Sequence, residues 1–212
     1  MWLILLILIA YLIGSIPTSI LAGKLLRGID IRDFGSRNPG ATNTFRVLGK
    51  KIGITVGLID IFKGFFAVFF LPSLLPSDGW TPEDIRRLIA GLAAVSGHMW
   101  TVFAGFSGGK GVGTSFGVFL GLAPLASVIT LAIWCLLTFS TGYVSLGSII
   151  AAAALPVAII TLGLLRGTLS IPVSAAAVIL GAAIILRHRA NISRLLKGEE
   201  NRFGKKRIKD KG

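Results

Sequence analysis

Long apolar segments dominate this sequence and limit what it can fold into. Seven occur, at about residues 2–26, 54–75, 88–106, 112–122, 125–139, 146–165 and 171–186. A transmembrane helix needs about 20 mostly apolar residues to cross a hydrocarbon core of about 30 Å. Apolar residues make up 53% of the 212 positions and charged residues only 15%, which is unusual for a soluble domain. We therefore predict an all-α polytopic membrane protein with seven transmembrane helices, forming a single domain over residues 1–212.

The count of seven depends on Pro124, which separates the two short segments at 112–122 and 125–139. Proline removes a backbone donor and disrupts a helix, so we predict two separate crossings. A single long helix broken at Pro124 is the competing interpretation. The first segment is interpreted as a retained spanning helix, because no basic residue precedes it and no signal-peptide cleavage site is evident.

The distribution of basic residues predicts the orientation, because cytoplasmic loops carry an excess of Lys and Arg. Residues 24–51 hold seven basic residues against two acidic ones, and the tail at 187–212 holds ten against three. The connection at 76–87 has three acidic residues against two basic ones. We predict an outside amino terminus and a cytoplasmic tail, which requires an odd number of crossings. The net charge of +13 is thereby attributed to the membrane surface and its lipids rather than to nucleic acid.

The first polar motif occupies residues 35–43 and is followed by Arg46. Its glycines and proline exclude a regular helix. Ser36, Asn38 and Asn43 offer hydrogen-bonding side chains, and the guanidinium of Arg46 suits phosphate. This composition predicts a loop that binds an anionic substrate, with a solvated linker as the alternative.

The second motif places Gly108, Gly109, Lys110 and Gly111 directly before an apolar segment. Glycine-rich backbone that can present successive amides at a helix amino terminus, beside a lysine, is suited to binding an anion. A Walker A loop would need Ser or Thr at position 111, so nucleotide hydrolysis is not predicted. A flexible turn between helices is the alternative.

The third motif, at residues 187–191, leaves the last apolar segment. Its two arginines could simply anchor the helix against anionic lipid headgroups. His188 and Asn191 stand three residues apart and would share a face if the helix continues. The single Cys135 has no partner, and neither His98 nor His188 has further ligands at metal spacing, so no disulfide, metal or other cofactor is predicted.

Three further polar residues fall inside apolar segments. A charged residue near the centre of a spanning helix costs about 2.5–3.5 kcal/mol on insertion scales, so Asp60 and Lys63 are expected to face the protein interior. Their three-residue spacing favours an ion pair over a substrate contact. His98 is interpreted as an interior histidine with its hydrogen bonds satisfied.

Together these segments resemble the bacterial acyl-phosphate:glycerol-3-phosphate acyltransferases, the PlsY family. The resemblance rests on five ordered motifs, which are Gly-Ser-x-Asn-x-Gly-Ala-Thr-Asn at 35–43 with Arg46, Asp-Ile-Phe-Lys-Gly at 60–64, Gly-His at 97–98 leading into Gly-Gly-Lys-Gly at 108–111, Tyr-Val-Ser-Leu at 143–146, and Arg-His-Arg-Ala-Asn-Ile at 187–192 with Glu200. The sequence departs from the family pattern at Thr101, where proline is usual, and at Ser107, where a basic residue is common.

The resemblance implies an enzyme of the bacterial inner membrane with its active site facing the cytoplasm. Its substrates would be acyl phosphate and glycerol 3-phosphate, and its products lysophosphatidic acid and phosphate, in the first step of phospholipid synthesis. The residues implied are catalytic Ser36, Arg46, Lys110, His188 and Asn191, substrate-binding Asn38, Asn43, Gly108, Gly109, Gly111 and Ser145, and a structural Glu200. A monomer is compatible with these motifs.

The His-x-x-x-x-Asp pair of many acyltransferases is missing, because Phe103 and Ser193 stand five residues after the two histidines. The hypothesis is therefore that a substrate phosphate oxygen accepts the hydroxyl proton, with His188 as the alternative base. Two other classes of protein remain as alternatives. An anion transporter would bind its solute near the membrane midplane, whereas these motifs lie at one surface. A membrane anchor would explain the basic tail but not the first two motifs.

Overall fold

The computed structural model describes residues 1–202. This part of the chain folds into eleven α-helices and two short 3-10 turns, at Ile31–Asp33 and Val102–Ala104, with no strand. The helices are α1 Trp2–Ser15, α2 Thr18–Arg27, α3 Ala41–Leu48, α4 Lys50–Phe69, α5 Leu71–Leu74, α6 Glu83–Met99, α7 Val112–Leu122, α8 Pro124–Thr141, α9 Val144–Arg166, α10 Ile171–Arg187 and α11 Arg189–Leu196. The end of the predicted basic tail, from residue 203 onward, lies outside the described residues.

The predicted all-α architecture is confirmed over residues 1–202. Helices α4, α8 and α9 are long and apolar enough to cross a membrane, and the number rises to five if the bent pairs α1–α2 and α10–α11 each form one span. Helix α7 is apolar but shorter. The count of seven crossings and the placement of the termini stay predictions.

The structure shows a break between the two short segments next to Pro124. Helix α7 ends at Leu122, Ala123 has non-helical dihedral angles (φ −144°, ψ 66°), and Pro124 is the first residue of α8. Proline is favoured there because its missing N–H has no helical partner at that position. The chain is therefore broken here into two helices, as both interpretations required, and whether α7 and α8 are separate crossings stays a prediction.

The structure interrupts or shortens some of the predicted segments and bends the chain after the last one. The first is broken between α1 and α2, with a bend of 40° next to Pro17. The segment predicted at 88–106 is helical only to Met99. The chain then turns and enters the second motif, residues 108–111, which we call the glycine loop. The chain bends by 57° between α10 and α11, so the condition under which His188 and Asn191 would share a helix face is not met. Hydropathy reports burial in lipid or protein, and it does not register these turns.

Small residues allow the helices to cross closely. A Cβ added to Gly14 or Gly97 would collide with backbone atoms across the α1–α6 contact, and one added to Gly64 or Gly117 would do so across the α4–α7 contact. Such contacts are typical of membrane helices, whose association relies on close packing and not on a hydrophobic driving force. The largest buried cluster, which includes Val95, Phe119 and Leu180, joins α4 and α6 to α10.

Candidate active site

A chain of polar contacts joins the glycine loop to the carboxyl-terminal segment. The Lys110 ammonium, just before α7, donates to the Oδ1 atom of Asn191 in α11. The Nδ2 atom of Asn191 in turn donates to Glu200 Oε1 at 2.8 Å. The carboxylate can only accept, so this bond fixes the orientation of the Asn191 amide with its oxygen toward Lys110. Two predicted catalytic residues that are 81 positions apart in sequence are thereby brought into contact.

Glu200 is the centre of this arrangement. Its side chain is only 2% exposed, and it accepts from the Ser145 hydroxyl at 3.1 Å and from Arg194 Nε at 2.7 Å in addition to Asn191. These contacts agree with the structural role that the family resemblance implies for Glu200. The Ser145 hydroxyl proton is occupied by Glu200, so Ser145 could contact a substrate only through its oxygen lone pairs.

The segment after Glu200 brings Arg46 to the same region. A terminal nitrogen of Arg46 in α3 donates to the carbonyl oxygen of Asn201 at 3.3 Å. The next residue, Arg202, donates to the Tyr143 hydroxyl at 3.1 Å and lies over its ring. Residues 198–202 therefore connect α3, α9 and α11 around one cationic site.

Burial keeps the two predicted phosphate-binding cations in a poorly solvated environment. It is the largest cause of the shift that lowers the pKa of Lys110 to about 8, and the nearby Glu200 carboxylate opposes that fall. Burial also lowers the pKa of Arg46. Because a desolvated cation interacts strongly with an anion, this is an environment suited to phosphate.

His188 is buried at the bend between α10 and α11, with 3% exposure. Its Nδ1 atom lies 2.7 Å from the carbonyl oxygen of Ile184. A carbonyl oxygen only accepts, so Nδ1 carries the proton and, in the neutral ring, Nε2 is the acceptor. His188 is thereby held in the tautomer that a general base or hydrogen-bond acceptor would need.

The glycine loop differs from the predicted cradle of backbone amides. The N–H groups of Gly108 and Gly109 donate to the carbonyl oxygens of Met99 and His98, both at 3.1 Å. These two N–H groups are therefore already hydrogen-bonded within the protein, and substrate binding by Gly108 and Gly109 stays a prediction. Both residues are buried, and a Cβ at either would collide with the end of α6. Glycine is required here by close packing.

Anion binding by Lys110 and by the start of α7 stays a prediction. Gly111 has φ 85° as the residue before α7, a conformation that favours glycine, and the first N–H groups of a helix have no helical partner. Arg187 supports the loop from α10. It donates to the carbonyl oxygens of Gly108 at 3.1 Å and Gly109 at 2.8 Å.

The first polar motif is a loop only up to Gly40, because α3 begins at Ala41, so the prediction that residues 35–43 exclude a regular helix is wrong for residues 41–43. The first loop, residues 28–40 between α2 and α3, is held in place by Asn43 of α3, a residue that is 1% exposed. Its Nδ2 atom donates to the carbonyl oxygens of Ile31 and Phe34, and its Oδ1 atom accepts from the Ser36 N–H at 2.8 Å. These bonds account for both amide protons, so the predicted substrate contact of Asn43 is replaced by a proposed role in holding the loop. Ser36 is exposed and Asn38 partly exposed, and within residues 1–202 no hydrogen bond joins either to Lys110, Asn191 or Glu200.

The interior ion pair expected in α4 is present. Lys63 Nζ lies 2.9 Å from Asp60 Oδ1, and both side chains are almost fully buried. His98 is 8% exposed, with Nδ1 3.6 Å from the same carboxylate oxygen. A small cleft lies beside this cluster, between the first loop and the glycine loop, and is lined in part by Thr18, Pro39, His98 and Gly109.

The family model of glycerol-3-phosphate acyltransferase matches residues 4–198. The chain belongs to this family. It is 48% identical to the glycerol-3-phosphate acyltransferase of Chlorobium phaeobacteroides (strain BS1), an alignment that covers 94% of this chain and 96% of the relative. It is also 48% identical to the one from Chlorobaculum tepidum, over 94% of this chain and 97% of that one.

Two crystal structures of a family member, PlsY (YgiH), an integral membrane glycerol 3-phosphate acyltransferase, are similar to this fold. The glycerol 3-phosphate form has a TM-score of 0.82 at 40% identity, and the alignment covers 95% of this chain and 96% of that one. The lysophosphatidic acid form has a TM-score of 0.78 at 40% identity, with 95% of each chain covered. This chain is accordingly a multi-pass membrane protein of the PlsY family.

Several groups around the site carry no local sequence signal for their contacts. Arg194, Asn201 and Arg202 were not singled out from the sequence. Asn201 acts through its backbone carbonyl, and Arg202 contacts Tyr143, 59 positions away. Arg194 contacts Glu200, six positions away and beyond the end of α11. The basic residues of the tail indicated a lipid-facing surface, and nothing local distinguishes these two arginines from their neighbours.

Proposed function

We propose that this protein transfers a fatty acyl group from acyl phosphate to the 1-hydroxyl of sn-glycerol 3-phosphate. The products are lysophosphatidic acid and phosphate. The observation that carries the proposal is the convergence of Lys110, Asn191 and Arg46 around Glu200, in a chain that belongs to the glycerol-3-phosphate acyltransferase family. The crystallised relative at 40% identity has a glycerol 3-phosphate form and a lysophosphatidic acid form, which supports the acceptor and the product.

The site supplies two of the things that such a reaction needs. Both substrates are anionic, and Lys110 and Arg46 offer two poorly solvated cations to hold phosphate groups. Acyl phosphate is already activated, so catalysis can rest on orienting the acceptor hydroxyl and stabilising the charge that develops on the carbonyl oxygen. One well-placed donor contributes about 3–4 kcal/mol to that stabilisation.

In the proposed reaction the 1-hydroxyl oxygen attacks the acyl carbonyl carbon. A bond forms between that oxygen and the carbonyl carbon, and the bond from the same carbon to the phosphate oxygen breaks. The phosphate leaves with the bonding electron pair, and the hydroxyl proton passes to a phosphate oxygen. His188 Nε2 is the alternative proton acceptor, which the tautomer set by Ile184 permits.

The site is proposed to face the cytoplasm of a bacterial inner membrane. The first loop, the glycine loop, the turn at Tyr143 and the carboxyl-terminal segment carry all the motif residues that converge here, and the excess of basic residues favours the cytoplasmic side for two of them. The acyl chain would then reach the site from the bilayer while glycerol 3-phosphate arrives from the aqueous side. Ser36 and Asn38, on the exposed part of the first loop, are proposed to contact the incoming substrate.

Purified protein in detergent or lipid cubic phase tests the function. Given acyl phosphate and glycerol 3-phosphate, it should release phosphate and form lysophosphatidic acid in equal amounts. Acyl-coenzyme A serves as the control donor and should give neither lysophosphatidic acid nor free coenzyme A. Folded protein that makes no product from acyl phosphate would contradict the proposal, and product from acyl-coenzyme A alone would contradict the choice of donor.

The identity of the base is tested separately with His188→Gln. Glutamine can accept and donate hydrogen bonds but cannot act as a base near neutral pH. If a substrate phosphate takes the proton, the variant keeps a turnover number within about tenfold of the wild type, since general acid–base groups typically contribute 10²–10⁴-fold. A loss of that larger size, in protein that still binds glycerol 3-phosphate, would make His188 the base.

A further inference from the structure

A buried polar cluster lies beside the glycine loop and has no part in the transfer step described above. It comprises Asp60 and Lys63 of α4, Thr18 at the start of α2, and His98 near the end of α6. Asp60 and Lys63 are each 4% exposed and His98 is 8% exposed. Apolar residues of similar volume often replace a buried ion pair without loss of stability. Stability alone therefore does not account for this cluster.

One carboxylate oxygen collects the contacts of the cluster. Asp60 Oδ1 accepts from the Thr18 hydroxyl at 2.7 Å and lies 2.9 Å from Lys63 Nζ. Lys63 also donates to the carbonyl oxygen of Ile16 at 3.1 Å. Ile16 and Thr18 lie on either side of Pro17, so the pair fixes α4 to both sides of the break between α1 and α2. Just after α6, the Thr101 hydroxyl donates to the Ser15 carbonyl oxygen at the same break.

The cluster reaches the glycine loop through His98. The ring faces Asp60 with Nδ1, and its other edge lies against Gly109, because a Cβ on Gly109 would collide with His98 Nε2. The His98 carbonyl oxygen also accepts from the Gly109 N–H at 3.1 Å. Asp60 also lies close to the first turn of α7, because a Cβ atom added to Gly113 would lie 3.4 Å from the Asp60 Cβ atom. The segment that carries Lys110 is therefore supported on both sides.

We propose that Asp60 is a positioning residue for the acyl-transfer site. Together with Lys63 and Thr18 it holds the His98 ring, and the ring fixes the position of Gly109 and thus of Lys110. Asp60 needs no contact with substrate for this. Thr18, His98 and Gly109 also line the cleft between the two loops, so the same cluster sets the spacing of the loops across which the substrates meet. This inference rests on the proposed function, because it is tested by measuring kcat/KM for glycerol 3-phosphate.

The isosteric change Thr18→Val tests the proposal with little disturbance of packing. It removes the hydroxyl that donates to Asp60 and leaves every charge in place. We expect kcat/KM for glycerol 3-phosphate to fall about 10- to 100-fold, the effect of moving a reacting group by up to about 1 Å. Thr18→Ser keeps the donor and should restore kcat/KM to within about threefold of the wild type, a change of under 1 kcal/mol.

Asp60→Asn and a matched control separate positioning from stability. Asp60→Asn should lower kcat/KM at least as much as Thr18→Val, since it also removes the charge facing Lys63 and His98. The control is Arg86→Lys, which alters another buried charged residue, 3% exposed, at the end of α6 that lies away from His98. Arg86 donates to the carbonyl oxygens of Pro72, Leu75 and Pro76. The substitution should lower the thermal unfolding midpoint while leaving kcat/KM of the folded protein unchanged.

The outcomes distinguish this inference from the proposed function. A wild-type protein without transfer activity would refute the proposed function first. Active wild type with unchanged kcat/KM in Thr18→Val would overturn the positioning role alone, as would equal losses in Thr18→Val and Thr18→Ser. A loss of kcat/KM in Arg86→Lys as large as in Asp60→Asn would show that the cluster only stabilises the fold, and it would overturn the positioning role of Asp60.

Discussion

Replacing Glu200 by glutamine tests how the carboxyl-terminal segment holds the site. The glutamate accepts three hydrogen bonds, two at Oε1 from Asn191 and Ser145 and one at Oε2 from Arg194. Glutamine has the same shape but only one acceptor oxygen. If the amide oxygen of glutamine keeps the bonds to Asn191 and Ser145, the amide NH₂ group faces the Arg194 donor and that bond is lost. In the opposite orientation the NH₂ group faces the Asn191 donor, so at least one charge-assisted bond is lost in either case.

The loss can be estimated from these contacts. A hydrogen bond to a charged group contributes about 1.5–3 kcal/mol, and because the Arg194 side chain is 34% exposed the lower part of that range applies to its share. The carboxylate that opposes the buried Lys110 charge is also removed. Together these effects amount to about 2–3 kcal/mol of unfolding free energy, or about 4–12 °C in the unfolding midpoint at about 2–4 °C per kcal/mol for a chain of this length.

Thermal unfolding of the detergent-solubilised protein measures this directly. The control is Glu199→Gln, which removes the same charge at the exposed neighbouring position. We expect the midpoint of Glu200→Gln to fall by the amount above and that of Glu199→Gln to stay within about 2 °C of the wild type, as surface substitutions usually do. Equal midpoints for the two variants would refute the assigned part of Glu200.

Three further predictions concern charge, the first loop and topology. Because the Lys110 pKa is about 8, kcat/KM should decline as pH rises through that value and the ammonium loses its proton, and Lys110→Arg, which stays charged, should abolish this decline. Asn43→Ala removes three bonds to the first loop, each contributing about 0.5–1.5 kcal/mol, so both the unfolding midpoint and activity should fall. In a Cys135→Ser background, an impermeant thiol reagent should label Ser77→Cys on intact cells and Ser193→Cys only after permeabilisation, and the reverse pattern would invert the proposed topology.

Local chemistry made much of the fold predictable. The segment at 112–122 coincides with α7, because glycine precedes it and Pro124 forces the next helix to begin. The pairing of Asp60 with Lys63 could be predicted from their helical spacing and from the free-energy cost of an isolated charge among apolar residues. Each of these features depends on neighbours within one or two helical turns.

Other features depend on distant contacts and could not be predicted. The bond from Arg46 to the Asn201 carbonyl joins residues 155 positions apart, and no local pattern in the tail marks that carbonyl. The glycines at 108 and 109 indicated available amides, whereas the end of α6 occupies them. Glycine is needed for close packing as well as for presenting backbone to a ligand, and the sequence does not separate these two uses.

The most direct test of the account compares wild type with Lys110→Met in the acyl-transfer assay. Purified wild-type protein should convert acyl phosphate and glycerol 3-phosphate to equal amounts of phosphate and lysophosphatidic acid. Lys110→Met, in protein that still shows a cooperative thermal unfolding transition, should make neither product at a measurable rate. A folded Lys110→Met protein that forms lysophosphatidic acid at the wild-type rate would contradict the claim that this lysine is at the centre of the site.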